Sequence, residues 1–158
     1  MTQPPNTLTC TVTVQASPHD VWGLVADLPG MGRFSPENTG GWWLPGVRGP
    51  AVGARFLGTN RNGWRRWFTL ATVVESVPGR RFTFDVVVPG MRVSRWSFDV
   101  EPSAAGIVLR QTWTFGGGRM LRVLGPAVTG RRGRHDFTTE SMSTTLARVR
   151  DEAERARL

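Results

Sequence analysis

From Asn38 to Gly117 the chain is a relay of strand-like runs separated by regularly spaced turns, and this pattern leaves few folds open. Turns at such spacing join antiparallel neighbours and leave no room for crossovers. Gly41 to Leu44 reads as a short strand, ended by Pro45-Gly46 and Gly49-Pro50. Ala54 to Asn60 comes next, and Asn62-Gly63 is a strong hairpin signal. Trp64 to Val77 and Arg81 to Val88 flank Pro78-Gly79; Pro89-Gly90 leads into Arg92 to Glu101, and Ile107 to Gly116 completes the last hairpin. Phe82, Phe84 and Val86 share one face by alternation, and Trp96, Phe98 and Val100 share another.

A sheet of this kind needs an apolar cover. Between Asp136 and Arg157, Met142, Leu146, Val149, Ala153 and Ala156 recur at helical spacing and form one stripe. Thr138 and Thr145 lie on the same stripe, nearer its start. The far half is plain core. The near half has short, partly polar side chains, so a sheet closing over it either packs solidly or leaves free volume there.

The remaining elements are brief. Residues 1–6 read as a flexible tail, and Leu8 to Val14 alternates as a strand. Ser17 is a good N-cap, with Pro18 at the first helical position and Val21, Trp22, Leu24 and Val25 as the apolar face. Met31 to Phe34 adds a short helical turn, and Met120 to Leu124 predicts another before Pro126. The whole chain, 1–158, reads as a single α+β domain with its helices gathered on one face of the sheet.

Composition narrows the setting. The lone Cys10 has no partner for an internal disulfide, no apolar run reaches membrane-spanning length, and MTQPPN lacks the features of a signal peptide. A cytoplasmic location is the expectation. The net charge is +8, with arginine supplying all 20 basic residues. The arginines are scattered, and only Arg131, Arg132 and Arg134 cluster, which argues against a nucleic-acid surface; peripheral contact with an acidic membrane stays open. Walker, dinucleotide, zincin and Gly-x-Ser-x-Gly motifs are all absent, and two histidines and one cysteine, widely spread, make no metal site.

Six segments together carry a resemblance: A-S-P-H-D-V-W (16–22), M-G-R-F-S-P-E-N-T-G (31–40), V-G-A-R-F-L-G-T-N-R (52–61), W-F-T-L-A-T-V-V-E-S-V-P-G-R-R-F (67–82), W-S-F-D-V-E-P (96–102) and G-I-V-L-R-Q-T-W (106–113). In order and spacing the chain resembles the START-like, or SRPBCC, superfamily, and within it the actinobacterial polyketide cyclase/dehydrase-like proteins. The resemblance implies the helix-grip fold of the birch pollen allergen. In that fold a curved seven-stranded antiparallel sheet wraps a long C-terminal helix, two short helices follow strand one, and an apolar cavity lies between sheet and helix. It leaves activity open, because the superfamily spans cyclases, lipid carriers, receptors and oxygenase domains.

Candidate site residues follow from these readings. Glu37, in a Ser-Pro-Glu loop, is the first catalytic candidate: burial against Trp42 or Trp43 would suit an acid or base, whereas exposure or an arginine partner would not. Asp136 is the second, with N-capping as its other role and His135 beside it. Asn60 shares a face with Phe56 and either binds a ligand carbonyl or opens the Asn62-Gly63 turn. Trp64, Trp67, Trp96 and Trp113, with Phe82 and Phe84, either wall a cavity for a flat or isoprenoid ligand or fill the core. Gln111 shares a face with Leu109 and Trp113, and Thr138, Met142 and Thr145 belong to the helix stripe. The leading expectation is a small apolar ligand, aromatic polyketide-like or lipid-like, held without cofactor or metal, with polyketide cyclase or dehydratase chemistry as its catalytic form. Tyrosine is absent, so no such mechanism here uses one. The alternative is a non-catalytic lipid or quinone carrier at an anionic membrane surface, with Met120 to Leu124 as a gate.

Overall fold

A computed structural model describes residues 6–118, 126, 130 and 134–158. Its strands are β1 (Thr7–Val14), β2 (Asn38–Trp43), β3 (Arg55–Asn62), β4 (Arg65–Val77), β5 (Arg81–Val88), β6 (Met91–Ser103) and β7 (Gly106–Phe115). They form one antiparallel sheet in the order β1-β7-β6-β5-β4-β3-β2. Every pairing from β2 to β7 is a hairpin or a short return, as the turn spacing requires. Only β1 comes in from a distance, closing against β7 with Val14 opposite Ile107.

Helix α1 (Pro18–Ala26) begins where expected: the Ser17 hydroxyl accepts a hydrogen bond from the Asp20 amide at 3.1 Å. A 3-10 helix (Leu28–Arg33) follows, a little earlier than the sequence places it. Helix α2 (Arg134–Arg155) starts two residues before Asp136, so Asp136 lies in its first turn and is not its cap. Met120 to Leu124 lie outside the described residues. No helix among the described residues is long and apolar enough to cross a membrane.

The inward face of the sheet divides along the strand direction. At one end Val73, Phe82, Phe98, Val100 and Leu109 pack with Val21 and Val25 of α1 and with Leu146, Val149 and Ala153 of α2. Trp22 seals this end: its ring meets Phe82 edge-on at 6.4 Å, and its indole N–H donates to the Arg81 carbonyl at 3.0 Å. Ala156, expected on the helix stripe, lies beyond the helix end and is exposed. At the other end the helix presents Thr138, Met142 and Thr145, and the sheet does not close on them completely.

The outward face carries cross-strand ion pairs. Arg95 grips Asp85 with two bonds of 2.7 and 2.9 Å, and Arg81 bonds Asp99. Both guanidinium groups are raised above their ordinary pKa, Arg95 through its bond to Asp85 and Arg81 through its bond to Asp99.

Candidate functional site

A cavity of about 530 Å³ lies between the unfilled end of the sheet and the first half of α2. This is the size range of small-molecule sites. Phe56 and Asn60 from β3, Trp67 and Ala71 from β4, and Phe84 from β5 line it, with Trp96 from β6 and Gln111 and Trp113 from β7. Leu28 and Met31 of the 3-10 helix and Thr138, Met142 and Thr145 of α2 complete the wall. Short side chains on the helix therefore leave the room that longer ones would fill.

Alternation decides which side chains face inward, and the curvature decides what they meet. Phe82 and Phe84 share a face, with ring centroids 6.0 Å apart. Phe84 reaches the cavity, but Phe82 does not: it is fully buried beside Trp22 in the closed end. Its expected place in the site is corrected accordingly. The tryptophans split in the same way. Trp67, Trp96 and Trp113 stand in the wall and leave the volume open. Trp64, at the β3–β4 turn, is 84% exposed and belongs to no interior surface.

Three sets of polar groups at this apolar volume bear on its chemistry. The first is a ladder across β2, β3 and β4. Asn38 donates to the Asn60 side-chain oxygen at 3.4 Å, and the Asn60 amide donates to the Thr69 hydroxyl at 3.1 Å. Asn60 faces inward and is buried, with its side chain spent on this ladder and not on the hairpin turn.

The second is an ion pair. Glu37 is buried, and the Arg134 guanidinium meets it fork to fork, with bonds of 3.1 and 2.9 Å. The loop that presents Glu37 is held locally. Ser35 Oγ accepts from the amides of Glu37 and Asn38, and the Arg61 amide donates to the Glu37 carbonyl. Arg148 of α2 donates to the Phe34 carbonyl at 3.2 Å, fastening the same loop from the other side. The expected cover of Trp42 or Trp43 is not what meets Glu37. Trp42 points outward and is half exposed, while Trp43 packs against Phe56 at 5.3 Å.

The third is a pair of buried atoms, Gln111 Oε1 and His135 Nε2, with no hydrogen-bond partner among the described residues. Both residues line the cavity. An unpaired polar atom in an apolar interior costs free energy, which marks these two residues as candidates for a partner that the described residues do not supply. Asp136 contributes nothing comparable. Its side chain is fully exposed and it is absent from the lining, because one step along the helix from His135 turns it about 100° toward solvent.

Some of this was not in the candidate set. In the sequence Arg134 stands out only as part of a basic cluster; its place at the start of a helix beside the candidate cavity is the signal for its pairing with Glu37. Ser94 lines the wall and is buried, and its period-two spacing from Trp96 makes it readable in retrospect. Asn38 had no such signal, because its role depends on facing Asn60 across the β2–β3 pairing.

A curved antiparallel sheet gripping one long helix over a sizeable apolar hollow defines a helix-grip protein. Known structures share this architecture over nearly all of the chain. The di-domain ARO/CYC StfQ from the steffimycin biosynthetic pathway superposes with a TM-score of 0.73 at 15% identity, covering 97% of this chain and 52% of its own. A polyketide cyclase-like protein from Corynebacterium glutamicum gives 0.59 at 25% identity, with 94% and 91% covered. A protein from Chromobacterium violaceum gives 0.69 at 15% identity, with 95% and 99% covered. No curated protein sequence matches the chain significantly. The family model described as polyketide cyclase/dehydrase and lipid transport matches residues 6–154, and the chain belongs to that family.

Proposed function

We propose that the protein binds one apolar small molecule, aromatic polyketide-like or lipid-like, that carries a hydrogen-bonding group at a defined position. The observation that carries this reading is the pair of buried atoms without a partner among the described residues, Gln111 Oε1 and His135 Nε2, on two residues that line a hollow of about 530 Å³. The aromatic wall supplies affinity over area, and the two polar atoms fix orientation. Gln111 Oε1 is an acceptor, so it calls for a hydroxyl or N–H on the guest.

The test is a tryptophan-fluorescence titration. Trp67, Trp96 and Trp113 line the cavity, so an entering guest changes their environment. Hydroxylated fused-ring compounds are expected to give a saturable change, and their analogues without the hydroxyl to bind about tenfold less tightly. A panel that leaves the fluorescence unchanged, together with native mass spectra that retain no guest, would refute the reading.

A catalytic form of this reading rests on His135. Its Nε2 is buried on a residue that lines the cavity, has no hydrogen-bond partner among the described residues, and sits one residue from Arg134. On a poly-β-ketone guest, His135 would move a proton at carbon while Arg134, released from Glu37, stabilises the enolate oxygen. Turnover lost in His135→Gln with guest binding retained supports it, and turnover unchanged in that variant refutes it.

A further inference from the structure

Every large aromatic side chain exposed among the described residues belongs to one part of the sheet. They are Trp42 at 51%, Phe68 at 66% and Trp64 at 84%. The pairings place them on one surface. Trp42 lies opposite Leu57, Leu57 opposite Leu70, and Leu70 opposite Val87, making a row across the outward faces of β2 to β5. Thr59 and Phe68 form the next row, and Arg61 and Arg66 the one after it. Trp64 stands at the tip of the hairpin, with the Arg65 guanidinium over its ring at 4.9 Å.

The charge on this surface is of one sign. Between Glu37 and Glu75 the sequence contains Arg48, Arg55, Arg61, Arg65 and Arg66 and no acidic residue at all. Arg55, Arg61 and Arg66 are exposed and alternate onto the same outward face as the aromatics. On β5 and β6, by contrast, Asp99 and Asp85 neutralise the outward Arg81 and Arg95. Exposed tryptophan and phenylalanine interleaved with Arg55, Arg61 and Arg66, which have no acidic partner among the described residues, match the boundary of an anionic bilayer. There, indole rings settle among the headgroups and guanidinium groups meet phosphate.

We infer that the β3–β4 hairpin and the outward face behind it, Trp42, Arg61, Trp64, Arg66 and Phe68, form a docking surface for an anionic phospholipid bilayer. The surface lies at the cavity end of the molecule. A side chain at Gly130 would run into the stem of Arg65, and nearby Pro126 and Arg134 line the cavity. Docking there brings the hollow beside the lipid, whatever guest it takes. The C-terminus of α2 lies about 30 Å along the helix from its cavity-lining first turn, at 1.5 Å per residue.

The test is flotation of the protein with vesicles of phosphatidylcholine alone and of equal parts phosphatidylcholine and phosphatidylglycerol. Binding is expected only to the mixed vesicles and weakens as salt rises. Arg61→Glu/Arg66→Glu is expected to weaken it at least about tenfold, since each arginine near such a surface is worth about fivefold in affinity. Trp64→Ser/Phe68→Ser should weaken it comparably, whereas Arg150→Glu/Arg155→Glu, with the same change of net charge at the far end of α2, should change it less than about threefold. Equal loss in both charge-reversal pairs would overturn the inference in favour of bulk attraction. Absence of vesicle binding would also overturn it, whether the patch then proves to pair two copies by sedimentation or to capture an acidic protein. The fluorescence titration of the cavity, run on the same variants without vesicles, is expected to be unchanged. Docking and guest binding therefore fail separately.

Discussion

Phe82 and Phe84 offer a controlled comparison: the same residue, on the same strand, two positions apart on the same face. Phe82 is 0% exposed and packs in the closed core, whereas Phe84 is half-buried and opens onto the cavity. Truncating Phe82 to alanine removes a fully buried ring and leaves a sealed hole, so the transfer and cavity penalties add to about 3–5 kcal/mol. Truncating Phe84 removes a ring that has protein on one side only. It enlarges an existing hollow without opening a new one, so only part of the transfer term is lost, about 1–2 kcal/mol. For a chain of this length each kcal/mol shifts the midpoint of thermal unfolding by roughly 2–4 °C, giving losses of about 10 °C or more against about 4 °C. Urea unfolding followed by tryptophan fluorescence reads the same difference as a shift in midpoint at constant slope. Where Phe82→Ala does not fold, Phe82→Leu, with a smaller hole, keeps the comparison. Guest affinity should move the other way, weakened by Phe84→Ala and unchanged in the folded fraction of the Phe82 variant. Equal destabilisation by both, with guest affinity indifferent to Phe84, would show that no hollow exists at that position.

Three further outcomes are expected. Gln111→Leu removes a buried acceptor that has no partner among the described residues, so the empty protein should gain about 1 kcal/mol in urea unfolding while hydroxylated guests bind about tenfold less tightly; a loss of stability would mean that the oxygen is satisfied within the protein. Glu37→Gln leaves Arg134 facing a neutral amide and should cost about 1–2 kcal/mol, limited by the 40% exposure of Arg134, with faster hydrogen exchange in the first turn of α2. Adding Arg134→Gln to that variant should restore part of the loss, and strictly additive losses would deny the pair any coupling. Asp136→Asn, at a fully exposed position, should change unfolding by less than about 0.5 kcal/mol and leave guest binding untouched; a large effect on binding would return Asp136 to the site.

Local pattern carried much of this molecule. Asn62-Gly63, Pro78-Gly79 and Pro89-Gly90 determined which strands are neighbours, because a short turn admits only an antiparallel partner. The stripe of Thr138, Met142, Thr145, Leu146 and Val149 determined that one helix has a core half and a half with small polar side chains, since both facts are properties of consecutive residues on a 3.6-residue period. The tertiary structure decided what lies opposite each position. Alternation assigns Phe82 and Phe84 to one face, but only the placement of α1 and the curvature of the sheet put one against Trp22 and the other beside the hollow. The meeting of Glu37 with Arg134, 97 residues apart, has no local signature, because closing a loop of that length depends on every hairpin between them. The lack of a partner for Gln111 Oε1 and His135 Nε2 among the described residues is likewise a property of the assembled wall: an atom lacks a partner only once the neighbours that could supply one have taken their places.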